Sequence, residues 1–399
     1  MARALLVLNA GSSSIKFALF EVDAREQPRL ASTGEIEGIG SAPHFIVRND
    51  RGVVLVDERW PAAQRAFPAL IDTVVGWAEA HLGADQLVAV GHRVVHGGSA
   101  HDQPARVTPA LLDELDRLTP LAPLHIPHNL APIRAIAAAR PDLPQVACFD
   151  TAFHHGMPAV ATRFALPREY EASGVRRYGF HGLSYEYISH RLRELAPGLA
   201  RGRVIAAHLG NGASLCAMRN GRSVDTTMGF TALDGLVMGT RCGSIDPGVL
   251  LYLLQQHGMD AAQLEDLLYR RSGLLGVSGG LASDMRTLLA SDAAAAGEAI
   301  ELFVFRIARE FGALGASMGG VDGLVFTAGI GEHAPAIRRA VCARLGWLGV
   351  RIDETANARN ALTISTPDSR LAVHVIPTDE EAMIARHTLD AVQASALPV

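Results

Sequence analysis

The sequence predicts a two-domain α/β protein that carries an internal duplication. Three observations support this. A chain of 399 residues is too long for one ordinary core and suggests two domains, each of roughly 200 residues. Apolar strand-like runs and helical patterns mix along the whole chain, which indicates α/β layers. An apolar strand, a turn of small polar residues and a second apolar strand open the chain at 5–20, and the same scheme returns at 204–218. Two such openings, each heading half of the chain, suggest a duplicated fold with two phosphate-facing loops. A coincidence between two glycine-rich hairpins is the plain alternative.

The elements follow in order. Residues 3–9 read as a strand, Gly11 to Ser14 as a turn, and 15–22 as a strand with period-two alternation. Gly11 permits close backbone approach. The three serines add hydroxyl donors, and the turn N–H groups can form an anion nest. Lys16 follows at once. Of 36 Lys plus Arg it is the one lysine, so this chain draws its surface cations from arginine. A compact ammonium on a flexible stem suits a place where the planar fork does not. A serine-rich hairpin with an exposed lysine would be the bland reading, but the uniqueness of Lys16 favours a phosphate contact.

Further strands are expected at 87–91, 145–149, 203–208, 213–218, 323–328 and 371–376. Helices are expected at 108–118, 128–140, 184–195, 247–257, 260–270, 334–345 and 380–394, with another over the Ala-rich segment running to 308. Thr108-Pro109 is a helix start with proline in the first turn. Asn220-Gly221 is a tight hairpin signal. At 323–333 an apolar strand runs into a Gly-Ile-Gly turn before a helix, which is a natural anion or nucleotide site. No GxxxxGK[ST] loop and no full GxGxxG fingerprint after a strand occurs.

Composition narrows the class. Hydrophobic content of 49% and charged content of 19% fit a soluble globular protein. A net charge of −5 argues against general nucleic-acid binding, though a local basic cleft can still hold a small anion. Cys148, Cys216, Cys242 and Cys342 form no CxxC pair, which fits a reducing cytosol. The N-terminal apolar run is too short for a signal peptide. No stretch approaches the roughly 20 apolar residues that cross a bilayer. The histidines at 92, 96, 101, 125, 128, 154 and 155 lack the paired spacing of a zinc site.

Several polar motifs fall at strand ends or before helices: NAGSSSIKF at 9–17, HRVVHGG at 92–98, APLHIPHN at 122–129, FDTAFH at 149–154, RRYGFHGLS at 176–184, HLGNGAS at 208–214, DTTMGFTALDGLVMGTRCGSIDP at 225–247, FTAGIGEH at 326–333 and PTDEE at 377–381. On these motifs the chain resembles, end to end, the acetokinase family of the acetate and sugar kinase, heat-shock ATPase and actin superfamily. The resemblance implies a duplicated two-domain actin-like ATPase fold, ribonuclease H-like, with an inter-domain cleft. It implies an N-terminal domain of 1–149 plus 383–399, holding the acyl substrate side and first phosphate loop, and a nucleotide-binding domain of 150–382. The implied reaction is reversible, ATP-dependent phosphorylation of acetate to acetyl phosphate, with Mg²⁺, by a cytoplasmic homodimer that binds neither nucleic acid nor membrane.

The resemblance also assigns residues. Asp150, His181 and Arg241 are the catalytic positions, with Arg241 and His181 on the transferring phosphoryl group. Arg93 would pair with the substrate carboxylate, and Val95, Leu124, Phe180 and Ala232 would enclose the methyl group beside His125. Asn9 and Glu380 would be associated with Mg²⁺. Ser12, Ser14 and Lys16 would face the phosphates. ATP or ADP would be held by His208, Leu209, Gly210, Asn211 and Gly212, by Asp284, Met285 and Arg286, and by Gly329, Ile330, Gly331, Glu332 and His333. Acetate is already ionised near pH 7, so no strong base is required, and Asp150 is read as orienting an arginine or a metal-bound water, whereas the resemblance implies a proton donor or acceptor there. Phosphoryl transfer asks chiefly for positioning and charge neutralisation, for which arginines and a metal are suitable.

Five positions depart from the family pattern: Ala232 for Pro, Asp234 for Glu, Ser244 for Asp, His333 for Asn and Asp379 for Asn. Ala232 bears on the size of the acyl pocket. Two rival functions remain at this stage. One is a propionate or butyrate kinase on the same scaffold. The other is an actin-like or heat-shock-type ATPase that controls protein binding, against which the Arg93 and Arg241 pair suits a small anion.

Overall fold

The computed structural model describes residues 3–11, 13–61, 66–83, 86–123 and 125–394; Ser12 and Leu124 lie outside them. The chain divides into two compact units, Met1–Ala152 with Asp379–Val399, and Phe153–Thr378. The divisions expected after 149 and 382 therefore fall after 152 and 378. Asp150 and Glu380 both belong to unit 1 as a result.

Unit 1 holds the strands β1 (Arg3–Ala10), β2 (Ser14–Val22), β3 (Pro28–Glu37), β4 (His44–Asn49), β5 (Val54–Arg59), β6 (Gln86–Val94), β7 (Ala105–Arg106) and β8 (Gln145–Phe149). They form one sheet in the order β5-β4-β3-β2-β1-β6-β8-β7. β1 runs antiparallel to β2 and parallel to β6, and β6 runs parallel to β8. The central strands read as near-continuous apolar runs because both faces of the sheet are covered. On one face Ala4, Leu6, Leu8, Ile15, Phe17 and Leu19 pack against Leu70, Ile71, Val74, Val75 and Ala78 of the Phe67–Leu82 helix. The Glu380–Ala394 helix covers the other, lying on β1, β6 and β8. Gly91 makes its close approach possible, because a Cβ there would fall 2.2 Å from Thr388 Oγ1.

Unit 2 repeats the arrangement with β9 (Arg203–Leu209), β10 (Ala213–Arg219), β11 (Arg222–Thr226), β12 (Gly323–Thr327) and β13 (Ala372–Val375), in the order β11-β10-β9-β12-β13. β9 is antiparallel to β10 and parallel to β12, which is parallel to β13. This matches β3-β2-β1-β6-β8 strand for strand, so the two similar openings do head two copies of one topology. Asn220 and Gly221, at φ 53° and 71°, form the two-residue turn between the paired Arg219 and Arg222. Tyr185, Ile188 and Leu192 of the Gly182–Leu195 helix pack on Val204, Ala206, Cys216 and Met218. The Ala294–Met318 helix also packs against β9, β10 and β11.

The expected strands and most of the expected helices lie within a few residues of where the periodicities place them, but the Ala-rich helix runs ten residues beyond 308, to Met318, and the Gly-Ile-Gly segment expected as a turn is itself a short helix, Ala328–His333. The segment between β2 and β6 differs. It holds β3, β4, β5 and the Phe67–Leu82 helix, none of which was expected. β5 is an edge strand with no buried residue, so burial imposes no alternation on its sequence. Among the described residues no helix is long and apolar enough to cross a membrane.

Candidate functional site

In unit 1 the polar groups gather where three parallel strands end. Val7 pairs with Gly91 and Leu8 with His92, so Asn9 and Arg93 come side by side on the face that carries the Glu380–Ala394 helix. Asp150 follows β8 directly, its N–H donating to Val94 O at 3.0 Å. Arg93 Nε donates to Asp150 Oδ1 at 3.1 Å and Nη2 to Oδ2 at 2.5 Å, a two-pronged contact. Nη1 donates to Asn9 Oδ1 at 3.3 Å, and Glu380 Oε2 lies 3.7 Å from Nε. The Asp150 carboxylate is 1% exposed and the Arg93 side chain 24%. Burial opposes the charge on Arg93, but Asp150 and Glu380 outweigh it and raise its pKa. Burial, reinforced by Glu380, also raises the pKa of Glu381.

The remaining unit 1 positions are more scattered. Lys16 is exposed on β2 opposite Asn9. Ser14 opens β2, and its carbonyl accepts from Gly11 N at 2.9 Å. Val95 is buried, with its N–H bonded to Asn129 Oδ1 at 3.0 Å. His125 is half-buried just before the Ile126–Ala139 helix.

In unit 2 His181 and Arg241 converge. A Cβ on Gly212 would lie 3.1 Å from Arg241 Nη2 and 3.3 Å from His181 Nε2. Arg241 is braced by Nη1 donating to the Ala232 carbonyl at 2.7 Å. His181 has left-handed backbone, φ 59° and ψ 26°, immediately before the Gly182–Leu195 helix. That conformation costs about 1–3 kcal/mol in a non-glycine residue and persists where its surroundings enforce it. Here they do. Buried His154 donates from Nε2 to the Phe180 carbonyl at 2.9 Å and accepts at Nδ1 from Ser223 at 2.8 Å. Burial holds His154 neutral, with its pKa lowered to about 4. Phe180 itself is buried. The His181 ring stacks on His208, centroids 4.1 Å apart and planes 13° apart.

Two of the departures noted in the sequence meet each other. Ser244 Oγ donates to Asp234 Oδ1 at 2.7 Å, in the loop that carries both Ala232 and Arg241.

A cavity of about 520 Å³ opens beside the same glycine turn. Gly210, Asn211, Asp284, Met285, Arg286, Gly329, Ile330 and His333 line it, with Leu289 and Ala334. Asp284 also caps a short helix, accepting from Thr287 N at 2.9 Å. Other residues of the expected nucleotide set point elsewhere. Leu209 is core, and Gly331 is buried. Glu332 turns inward, accepting from Ala328 N at 2.7 Å and Thr378 N at 3.1 Å. Arg338, which the motifs did not single out, is fully buried and binds the Gly331 and Glu332 carbonyls, both at 2.8 Å. A buried arginine has no sequence signature among 35.

Known proteins resemble this chain over nearly its whole length. A family model described as the acetokinase family matches residues 4–386. An acetate kinase of Rhodopseudomonas palustris (strain ATCC BAA-98 / CGA009) is 58% identical over 97% of this chain and 98% of its own. The crystal structure of a propionate kinase from Francisella tularensis subsp. tularensis SCHU S4 superposes with TM-score 0.88 at 37% identity, covering 97% of this chain and 99% of the other. The crystal structure of Porphyromonas gingivalis acetate kinase gives TM-score 0.87 at 37% identity, covering 98% and 100%.

Proposed function

The chain belongs to the acetokinase family, and we propose that it catalyses reversible phosphoryl transfer from ATP to acetate, giving acetyl phosphate and ADP. One observation supports this above the others. Gly210 and Asn211 line the cavity, while Arg241 Nη2 and His181 Nε2 come up against Gly212 of the same turn. The cavity suited to a nucleotide and the two groups read as stabilising the phosphoryl group therefore adjoin one turn.

In the reaction an acetate oxygen attacks the γ-phosphorus, and the bond to the β,γ-bridging oxygen breaks. Charge spreads over the equatorial oxygens, where Arg241 and His181 Nε2 supply donors. Arg93 binds the acetate carboxylate, and Asp150 holds the guanidinium in place for it. Because acetate is ionised, Asp150 need not accept a proton. Lys16, Ser12 and Ser14 meet the phosphates.

The residues of unit 1 fit Mg²⁺. Asn9, Asp150 and Glu380 are hard oxygen donors, and two carboxylates share one guanidinium, which leaves negative charge in excess. Among the described residues no group of three or more His, Cys, Asp or Glu is arranged as a dedicated metal site. Mg²⁺ keeps several waters and binds one or two carboxylates plus phosphates. Bound there through Asn9 and Glu380, it would neutralise phosphate charge.

The chain acts in the cytoplasm, a reading supported by the family and by four free cysteines. It acts as a homodimer. The Pro247–Gln256 helix has no buried residue yet exposes Val249, Leu251, Tyr252 and Leu254, an apolar face suited to a second copy. Propionate is a second substrate, because Ala232 leaves more room than the family's proline.

The test is to incubate the protein with MgATP and acetate, propionate or butyrate, and trap acyl phosphate as the hydroxamate. Acetate-dependent hydroxamate with stoichiometric ADP is expected. ATP hydrolysis without hydroxamate would instead favour the ATPase class.

A further inference from the structure

The register of the second sheet decides which side chains meet beneath the Gly182–Leu195 helix. Ser214 of β10 pairs with His208 of β9, so both side chains stand on one face. His181, Ser184 and Tyr185 have the i, i+3, i+4 spacing of one helix face, and they turn onto that pair. Ser214 Oγ lies 2.8 Å from His181 Nδ1 and also bonds the Tyr185 hydroxyl. Ser184 Oγ lies 2.9 Å from His208 Nδ1 and accepts from Thr378 Oγ1 at 2.9 Å. Ser184, Ser214 and Tyr185 are fully buried.

A serine hydroxyl has one hydrogen to give. Thr378 donates to Ser184, so the Ser184 hydrogen is left for His208 Nδ1. The Ser214 group has the same connectivity, and either hydroxyl can donate in its contact with Tyr185. With Tyr185 donating to Ser214, the Ser214 hydrogen goes to His181 Nδ1. A neutral ring then carries its own hydrogen on Nε2, the atom that shares the space over Gly212 with Arg241 Nη2. The reverse order would aim a bare Nε2 lone pair at that space, where it would repel phosphoryl oxygens. Stacking on His208 resists the 180° ring flip that would put a carbon where each nitrogen stands.

We propose that Ser214 and Tyr185 are positioning residues that fix His181 as the Nε2–H tautomer, so that it and Arg241 present adjacent donors to the transferring phosphoryl group. The proposal rests on the phosphoryl-transfer reading for its purpose, but the tautomer itself can be read in resting protein.

The experiment is ¹⁵N NMR of histidine-labelled protein at pH 8, with His181→Gln to assign the resonances, beside steady-state kinetics of Ser214→Ala and Tyr185→Phe. In the unsubstituted protein His181 should show a protonated Nε2 and an unprotonated Nδ1. Ser214→Ala should show mixed tautomers and a kcat lowered by about 10- to 100-fold, with KM for ATP and acetate within about twofold. Tyr185→Phe should lose less, because Ser214 remains. A protonated Nδ1 in the unsubstituted protein overturns the proposal. So does a folded Ser214→Ala with normal kcat. If Ser214→Ala does not fold, the unsubstituted spectrum and Tyr185→Phe decide it. Absence of acyl phosphate from the unsubstituted protein would sink the reaction and leave the tautomer to be judged by its spectrum.

Discussion

At the scale of single residues, Arg93 does two jobs that substitution will confuse. It is proposed to bind acetate, and it also neutralises a carboxylate that is 1% exposed. Arg93→Ala would remove the ion-pair partner of that buried charge, so a stability loss of up to about 3–5 kcal/mol in urea denaturation is expected besides the loss of activity. Arg93→Lys retains charge but not the fork. It should recover much of the stability while kcat/KM for acetate stays low. Equal stability of all three proteins would show that the pair is not coupled. Arg241 is braced by an Nη1 bond to the Ala232 carbonyl. Arg241→Ala should lower kcat by about 10²-fold or more. Lys16 offers a clean chemical probe, as the one lysine in the chain. Amine labelling should modify it and the N-terminus alone, and MgATP should protect it if it meets phosphate.

At the scale of elements, two turns and one helix carry consequences. A Cβ on Gly239 would lie 1.9 Å from Asn211 Oδ1 and 2.9 Å from Ser283 O, and Gly239 N donates to the Asn211 carbonyl at 3.0 Å. Gly239→Ala must push aside the side chain of Asn211, which lines the cavity, and crowd the Ser283 carbonyl, an overpacking that costs about 1–3 kcal/mol. KM for ATP should rise while KM for acetate changes little; the reverse pattern would place the nucleotide elsewhere. The Asp234–Ser244 bond and the Ala232 carbonyl belong to the loop that braces Arg241. Ala232→Pro keeps that carbonyl, so its effect should fall on acyl preference, moving the acetate-to-propionate ratio of kcat/KM by on the order of 1 kcal/mol toward acetate. Leu251→Glu with Tyr252→Glu, on the exposed apolar helix, should convert a dimer to monomer in sedimentation velocity. A variant that still sediments as dimer would exclude that face.

For the whole molecule the buried histidines set the pH dependence of stability. Burial lowers the pKa of His92, His96 and His154 to about 4 in each case. The unfolded chain takes up these protons near pH 6.5, and the folded chain does not until about pH 4. The full stability is therefore present above about pH 6.5, and it falls as the pH drops toward 4, by up to about 1.4 kcal/mol per unit for each group. His44 has the opposite sign. Asp57 and Glu37 raise its pKa, so its contribution is present at low pH and lost as the pH rises through the raised value. Urea midpoints at pH 7.5, 6 and 5 should decrease in that order, and His154→Gln should flatten the trend. A midpoint that rises on acidification would mean that these rings are protonated in the fold.

The sequence by itself determined the duplication, most of the central strands and the family. Each rests on local signals: apolar runs that survive because both sheet faces are covered, turn residues with particular φ requirements, and motifs whose residues lie close together in the chain. It also named Arg93, Asp150, Asn9 and Glu380, but not that one guanidinium serves the other three. That follows from the Val7–Gly91 register and from the Glu380–Ala394 helix returning to unit 1 across the whole of unit 2. Nothing local in residues 380–394 says which sheet they will cover. The edge strand β5 went unseen because exposure leaves its side chains without a pattern. Leu209 and Glu332 stand inside nucleotide-loop motifs yet turn into the protein, because a strand alternates its faces and a carboxylate seeks unpaired N–H groups. Ser214 and Tyr185 meet only after β10 pairs with β9 and the helix lies across them. Local chemistry is written in sequence; which groups share a proton depends on register and packing between segments far apart in the chain, and only the tertiary structure decides that.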